Sequence, residues 1–183
     1  SPLLQAMRGR ALAGLNQTDK AVAAFGLALD AAEKSPELFP VVMTQIAPAL
    51  SGEQRLALLR PRAAAEPTGT LGLSVVQLLL QAGENEAALR EAEALASKVA
   101  SNEQMEARRQ RLLAQAYQTL ERYEEARQAY ERVLRVMPND LFALNNLAYL
   151  LVDNLNRPAD AMPLAERAVK HAGNNDLQRA NVD

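Results

Sequence analysis

Apolar side chains recur along nearly the whole chain at the three-and-four spacing of a helix with one buried face, and Gly, Pro, Asn and Asp break the pattern at regular intervals. The spacing predicts helices over 3–16, 19–34, 38–50, 53–65, 71–82, 85–100, 103–119, 123–136, 141–153 and 158–172. The linkers between them are short, which forces neighbouring helices to fold back on one another as antiparallel hairpins. Ten helices make five hairpins. No linker is long or polar enough to mark a second domain.

The hairpins repeat. When 107–118 is laid over 141–152, Leu113 falls on Leu147, Ala114 on Ala148 and Tyr117 on Leu151, all 34 residues apart. In the partner helices Ala126 matches Ala161 and Glu131-Arg132 matches Glu166-Arg167, now 35 apart, so one extra residue belongs in the turn 153–157. Both units are expected to close alike, with Pro138-Asn139-Asp140 and Gly173-Asn174-Asn175. Alanine at 114, 126, 148 and 161 lets two helices approach closely, while Tyr117, Tyr130 and Leu151 fill the space beside them. Pro138 stops the second helix of its unit.

On these residues the chain resembles a tetratricopeptide repeat protein, whose unit is a helix–turn–helix of about 34 residues with small residues at fixed contacts. The pattern is strongest over 107–138, within the unit 103–138, through Leu113, Ala114, Tyr117, Ala126, Tyr130, Val133 and Pro138. It continues over 141–174, with a departure at Pro163 that should kink or delay its helix. Units 69–100 and 2–36 fit more loosely. Unit 37–66 is degenerate, interrupted by Pro40, Pro48 and Pro61, and 175–183 reads as the start of a further helix. The resemblance implies one right-handed, superhelical α-solenoid over 1–183, all-α, and a fragment of a larger bacterial multi-repeat protein.

Composition agrees. Alanine (35) and leucine (30) dominate, Trp is absent and aromatics are 4% of the chain, a mixture that favours helix over strand. There is no Cys and a single His, His171, so disulfides, thiolate nucleophiles and paired-histidine metal sites are excluded. No phosphate-binding glycine loop, G-x-S-x-G or H-E-x-x-H pattern occurs. Glu124-Glu125 reads as favourable charge at a helix start, and His171 as favourable charge in a last turn. Neither an enzyme nor a cofactor is expected. Net charge is −2 with pI near 5.6, which argues against nucleic acid as a partner, and no apolar run is long enough for direct membrane insertion.

What remains is the concave face that a repeat array builds from the first helix of each unit. Helical period places Thr70, Leu73, Ser74, Gln77 and Gln81 there from one unit, and Arg108, Arg111, Gln115, Gln118 and Thr119 from the next. The last unit gives Phe142, Asn145, Asn146, Tyr149 and Asp153. The expected partner-binding residues are Ser74, Gln77, Arg108, Arg111, Gln115, Asn145, Asn146 and Tyr149. Their Arg, Gln and Asn side chains suit a peptide backbone or carboxylate. Residues 108–135 carry a balance of +3, against −3 before them and −2 after, which favours an acidic partner.

Chaperone-binding members of the family grip a terminal carboxylate. Asn146 and Arg111 stand where such members carry a groove asparagine and a basic residue, but Gln115 replaces their second asparagine and the remaining basic pair would fall beyond 175. A generic peptide groove is therefore expected. Arg-rich composition (16 Arg, 4 Lys) suggests a GC-rich bacterial source. By analogy with the family the chain would be a protein–protein interaction scaffold in envelope assembly, secretion or exopolysaccharide export, in cytoplasm or periplasm and closer to the cell envelope. The alternative is the regulatory arm of an enzyme or transcription factor. Self-association is a third expectation, because the end faces of a repeat array are apolar.

Overall fold

A computed structural model of the chain describes residues 1–32 and 35–180. Among these residues the fold is all-α. The helices are α1 (Pro2–Gly14), α2 (Thr18–Ala32), α3 (Phe39–Ile46), α4 (Gly52–Ala65), α5 (Thr70–Gln81), α6 (Asn85–Ala94), α7 (Ala96–Val99), α8 (Glu103–Thr119), α9 (Tyr123–Val136), α10 (Leu141–Asp153) and α11 (Pro158–Ala180). They form two compact units, Ser1–Ala65 and Glu66–Asp183, where no boundary was expected. The chain changes unit at Glu66-Pro67-Thr68-Gly69, which carries no helix.

Four pairs pack as hairpins, α1 with α2, α5 with α6, α8 with α9 and α10 with α11. All four turn in the same way. Each places one residue in the left-handed region, at Asn16 (φ 57°), Gly83 (φ 77°), Glu121 (φ 59°) and Asn156 (φ 51°). In the first three the same backbone bond closes the turn, Gln17 N to Leu12 O at 2.9 Å, Glu84 N to Leu79 O at 2.9 Å and Arg122 N to Tyr117 O at 2.8 Å. This bond satisfies a carbonyl that the helix end would otherwise leave unpaired. In the fourth the bond spans one residue more, from Arg157 N to Leu151 O at 2.7 Å. The extra residue inferred from the 34-to-35 change in repeat spacing lies in that turn.

Small residues set the distance within each hairpin. Ala21, Ala88, Ala114 and Ala126 are fully buried, and Phe25 and Tyr130 fill the space next to them with no exposed surface. Gly9 lies so close to Phe25 that a Cβ there would sit 2.8 Å from the ring. Gly72 accommodates Leu95 in the same way, since a Cβ there would sit 2.5 Å from Leu95 Cδ2. Leu95 is itself the break in the expected helix 85–100, which divides there into α6 and α7.

The degenerate unit departs from a hairpin. α3 packs on α1 and α2, and α4 packs on α2. Pro40 begins α3 and Pro48 follows it, which limits that helix to eight residues. α4 is held to α2 by Arg62, whose guanidinium lies over Gly26 and pairs with Asp30 at 2.9 Å. Pro61 does not interrupt α4, and Pro163 neither delays nor breaks α11. Both prolines face solvent, and the carbonyls they leave unbonded, at Ala57 and Ala159, belong to exposed residues that water can reach. The turn expected at Gly173-Asn174-Asn175 is absent, because α11 continues to Ala180. Residues 33–34 and 181–183, assigned to helix in the sequence reading, lie outside the described residues.

Two substitutions test these contacts. Gly9→Ala should cost about 1–3 kcal/mol, since a buried aromatic ring cannot move aside, and urea unfolding would measure it. Glu121→Gly should stabilise the protein by about 0.5–1 kcal/mol by relieving a left-handed conformation that a side chain resists, seen as a rise in Tm.

Candidate functional site

Within the unit Glu66–Asp183, α5, α8 and α10 are the first helices of three hairpins, and their side chains meet around a cavity of about 520 Å3. α5 contributes Gln77, Leu80 and Gln81, α8 contributes Gln115, Gln118 and Thr119, and α10 contributes Phe142 and Asn146. Asn85 and Tyr130 reach it from the second helices α6 and α9. Tyr130 forms the floor. Its ring is buried and its hydroxyl donates to Gln118 Oε1 at 3.0 Å, while burial raises its pKa so that it stays protonated. Asn146 is oriented by a bond from its Nδ2 to Phe142 O at 2.7 Å.

A second concavity, of about 440 Å3, lies between α10 and α11. Ala148, Tyr149, Val152, Ala161, Met162, Ala165 and Val169 give it an apolar lining, with Asn145 and Asp153 at its rim. Tyr149, Met162 and Val169 are 60%, 62% and 74% exposed, so the slot is an uncovered apolar face.

One hairpin beside the cavity, α8 with α9, carries a recognisable sequence. Residues 107–140 match the tetratricopeptide repeat family. The chain carries a tetratricopeptide repeat. That repeat covers α8 from Ala107 onward, α9 and the residue that caps α10. No curated protein sequence matches the chain. Among solved structures, a MamA double mutant of strain RS-1 superposes with a TM-score of 0.66 at 15% identity, covering 94% of this chain and 97% of that one. A crystal structure of MamA gives 0.65 at 14% identity, covering 92% and 90%. MamA from residue 41 onward of Desulfovibrio magneticus RS-1 gives 0.57 at 18% identity, covering 96% of each chain. The likeness is one of fold.

Of the eight residues expected in the groove, the structure brings Gln77, Gln115 and Asn146 to the cavity. Asn145 and Tyr149 do not join them and line the slot between α10 and α11. Residues 142, 146 and 149 lie within about 60° of one another around α10, so the division between cavity and slot follows the neighbouring helices and not the period of α10. Ser74 turns back on its own helix, donating from Oγ to Thr70 O at 3.1 Å. Arg108 and Arg111 are half-buried and do not line the cavity. Desolvation, then the neighbouring charge of Arg111, lowers the Arg108 pKa.

Arg111 has a structural task. Its guanidinium lies 5.4 Å from the centre of the Phe142 ring and 3.7 Å from Asp140 Oδ2. Asp140 in turn caps α10, accepting from Ala143 N at 2.7 Å through Oδ1. One arginine of the matched repeat therefore ties down the start of the next hairpin. The third arginine of that turn, Arg109, is buried between hairpins, donating to Ala92 O at 3.2 Å and pairing with Glu106 at 2.7 Å. Leu80, Asn85 and Tyr130 were not anticipated in the cavity. The only signal for them was position, Asn85 just after the turn at Gly83 and Tyr130 opposite Gln118.

Asp140→Ala should lose the cap and the Arg111 pairing together and cost about 1–2 kcal/mol, measured by urea unfolding. Glu106 provides a pH test. Burial pushes its pKa up, but hydrogen bonds from Arg109 and Gln110 and the charges of Arg109 and Arg132 outweigh that and hold it below 4.5. A depressed folded-state pKa gives stability that is complete above the unfolded value and disappears as pH falls through the folded value. The stability gap between wild type and Glu106→Gln should therefore be constant at neutral pH and narrow below about pH 4.5 in an unfolding series.

Proposed function

We propose that the chain is a protein–protein interaction scaffold that holds an extended segment of a partner protein against α5, α8 and α10. The observation that carries this reading is the convergence of Gln77, Gln115 and Asn146, from three successive hairpins, on one cavity. None of the three is fully buried, so their amide groups are open to a ligand. The role proposed for the groove is binding. Among the described residues no group of three or more His, Asp or Glu is placed to hold a metal ion, and no helix is long and apolar enough to cross a membrane. The arginine-rich composition supports a bacterial source, and a setting in envelope assembly, secretion or exopolysaccharide export follows from family analogy alone.

A random-peptide library displayed and selected on the protein tests the groove. Selected peptides should bind Gln77→Ala/Gln115→Ala/Asn146→Ala at least about tenfold more weakly, a loss of about 1.4 kcal/mol. Gln128→Ala/Arg135→Ala, on the exposed side of α9, should bind them as wild type does. Melting should hardly change in either, as solvent-facing substitutions usually shift stability by under about 0.5 kcal/mol. Peptides indifferent to the groove variant would refute the reading.

Self-association is a second reading, favoured by the apolar slot beside Tyr149, Met162 and Val169. Exposed apolar area of this kind marks contact surfaces. If it operates, the mass seen by light scattering should rise with protein concentration and Met162→Asp/Val169→Asp should abolish the rise.

A further inference from the structure

The cavity is lined without charge. Six of its side chains are carboxamides, Gln77, Gln81, Asn85, Gln115, Gln118 and Asn146. The remaining lining is two hydroxyls, Thr119 and Tyr130, and two apolar groups, Leu80 and Phe142. Of the two cations near it, Arg111 is engaged by Asp140 and the Phe142 ring, and Arg108, half-buried beside Arg111, does not line the cavity.

Two of the amides are also fixed in orientation by the protein. Gln118 accepts the Tyr130 hydroxyl on Oε1, which leaves Nε2 as a donor. Asn146 spends a hydrogen of Nδ2 on Phe142 O, which leaves Oδ1 as an acceptor. A donor on α8 and an acceptor on α10 are the complement of the C=O and N–H that a peptide backbone offers. A carboxylate in the same place would find amide N–H groups, but no cation in the lining to balance its lost hydration, and burying an unpaired charge is unfavourable. A lysine or arginine would find no carboxylate.

We propose that this cavity selects an uncharged stretch of extended peptide, gripped through its backbone by the carboxamides, with an apolar or aromatic side chain against Phe142 and Leu80. The proposal rests on the groove reading above and adds the chemistry of the ligand to it. It differs from the acidic partner that the charge distribution along the sequence favoured.

The test uses synthetic peptides, N-acetylated and C-amidated, carrying the sequences selected from the displayed library, titrated against the full chain. The selected cores should lack Asp, Glu, Lys and Arg, and their Kd should change less than about threefold between about 50 and about 500 mM NaCl, a range that screens charge pairs strongly. An Asp placed in the core should weaken binding about tenfold or more. Gln118→Glu keeps the acceptor for Tyr130 but replaces the Nε2 donor with an oxygen, and it should weaken the neutral peptides about tenfold while circular dichroism confirms an unchanged fold. Acidic selected cores whose affinity falls tenfold with salt, yet still depends on Gln115 and Asn146, would overturn the neutral-peptide inference and leave the groove reading standing. Peptides that bind the groove variants as tightly as wild type would overturn both.

Discussion

Close approach between helices through alanine and glycine is the constraint on which the architecture depends. With Ala114 and Ala126 fully buried and Tyr130 filling the gap beside them, α8 and α9 meet at a distance that bulkier residues would not allow. Gly9 against Phe25 and Gly72 against Leu95 do the same in other hairpins. Once that distance is set, a single left-handed residue reverses the chain, and the same carbonyl is capped each time. The first helices of successive hairpins then stand side by side, and the cavity is the space their longer polar side chains leave between them.

The cavity's neutrality has a structural origin. Two arginines of the basic turn at 108–111 join hairpins, Arg109 on the backbone of α6 and Arg111 on the cap of α10. Charge that the sequence concentrates in this segment is therefore used for cohesion between repeats. The carboxamides, which carry no such obligation, are left to face the open space.

The sequence made the helices legible because leucine and alanine recur at helical period and because Gly, Asn and Pro punctuate them. The extra residue at 153–157 was legible too, from a change in repeat spacing alone. The α3–α4 segment was not, because Pro40 and Pro48 signal interruption without saying where a short helix will dock. Pro61 and Pro163 misled for a related reason, since their effect depends on whether the freed carbonyl meets water, and that is a property of the fold. In the groove, Gln77, Gln115 and Asn146 followed from period, whereas Asn145 and Tyr149 line the slot beside α11, a neighbour that the period of α10 alone does not locate. The pairing of Arg111 with Asp140 crosses from one hairpin to the next, and single-helix periodicity contains no information about such a contact.

Tyr130 sits under the cavity in a chain that has four tyrosines and no tryptophan. Its hydroxyl shares Gln118 with any ligand that engages the other end of that amide. Hydrogen bonds in series polarise one another, so an occupant drawing on Nε2 alters the bond at Oε1. The phenol's near-ultraviolet absorption and emission respond to that bond, with no indole signal to mask them. The groove thus contains its own optical reporter, built from the residue that also packs the repeat.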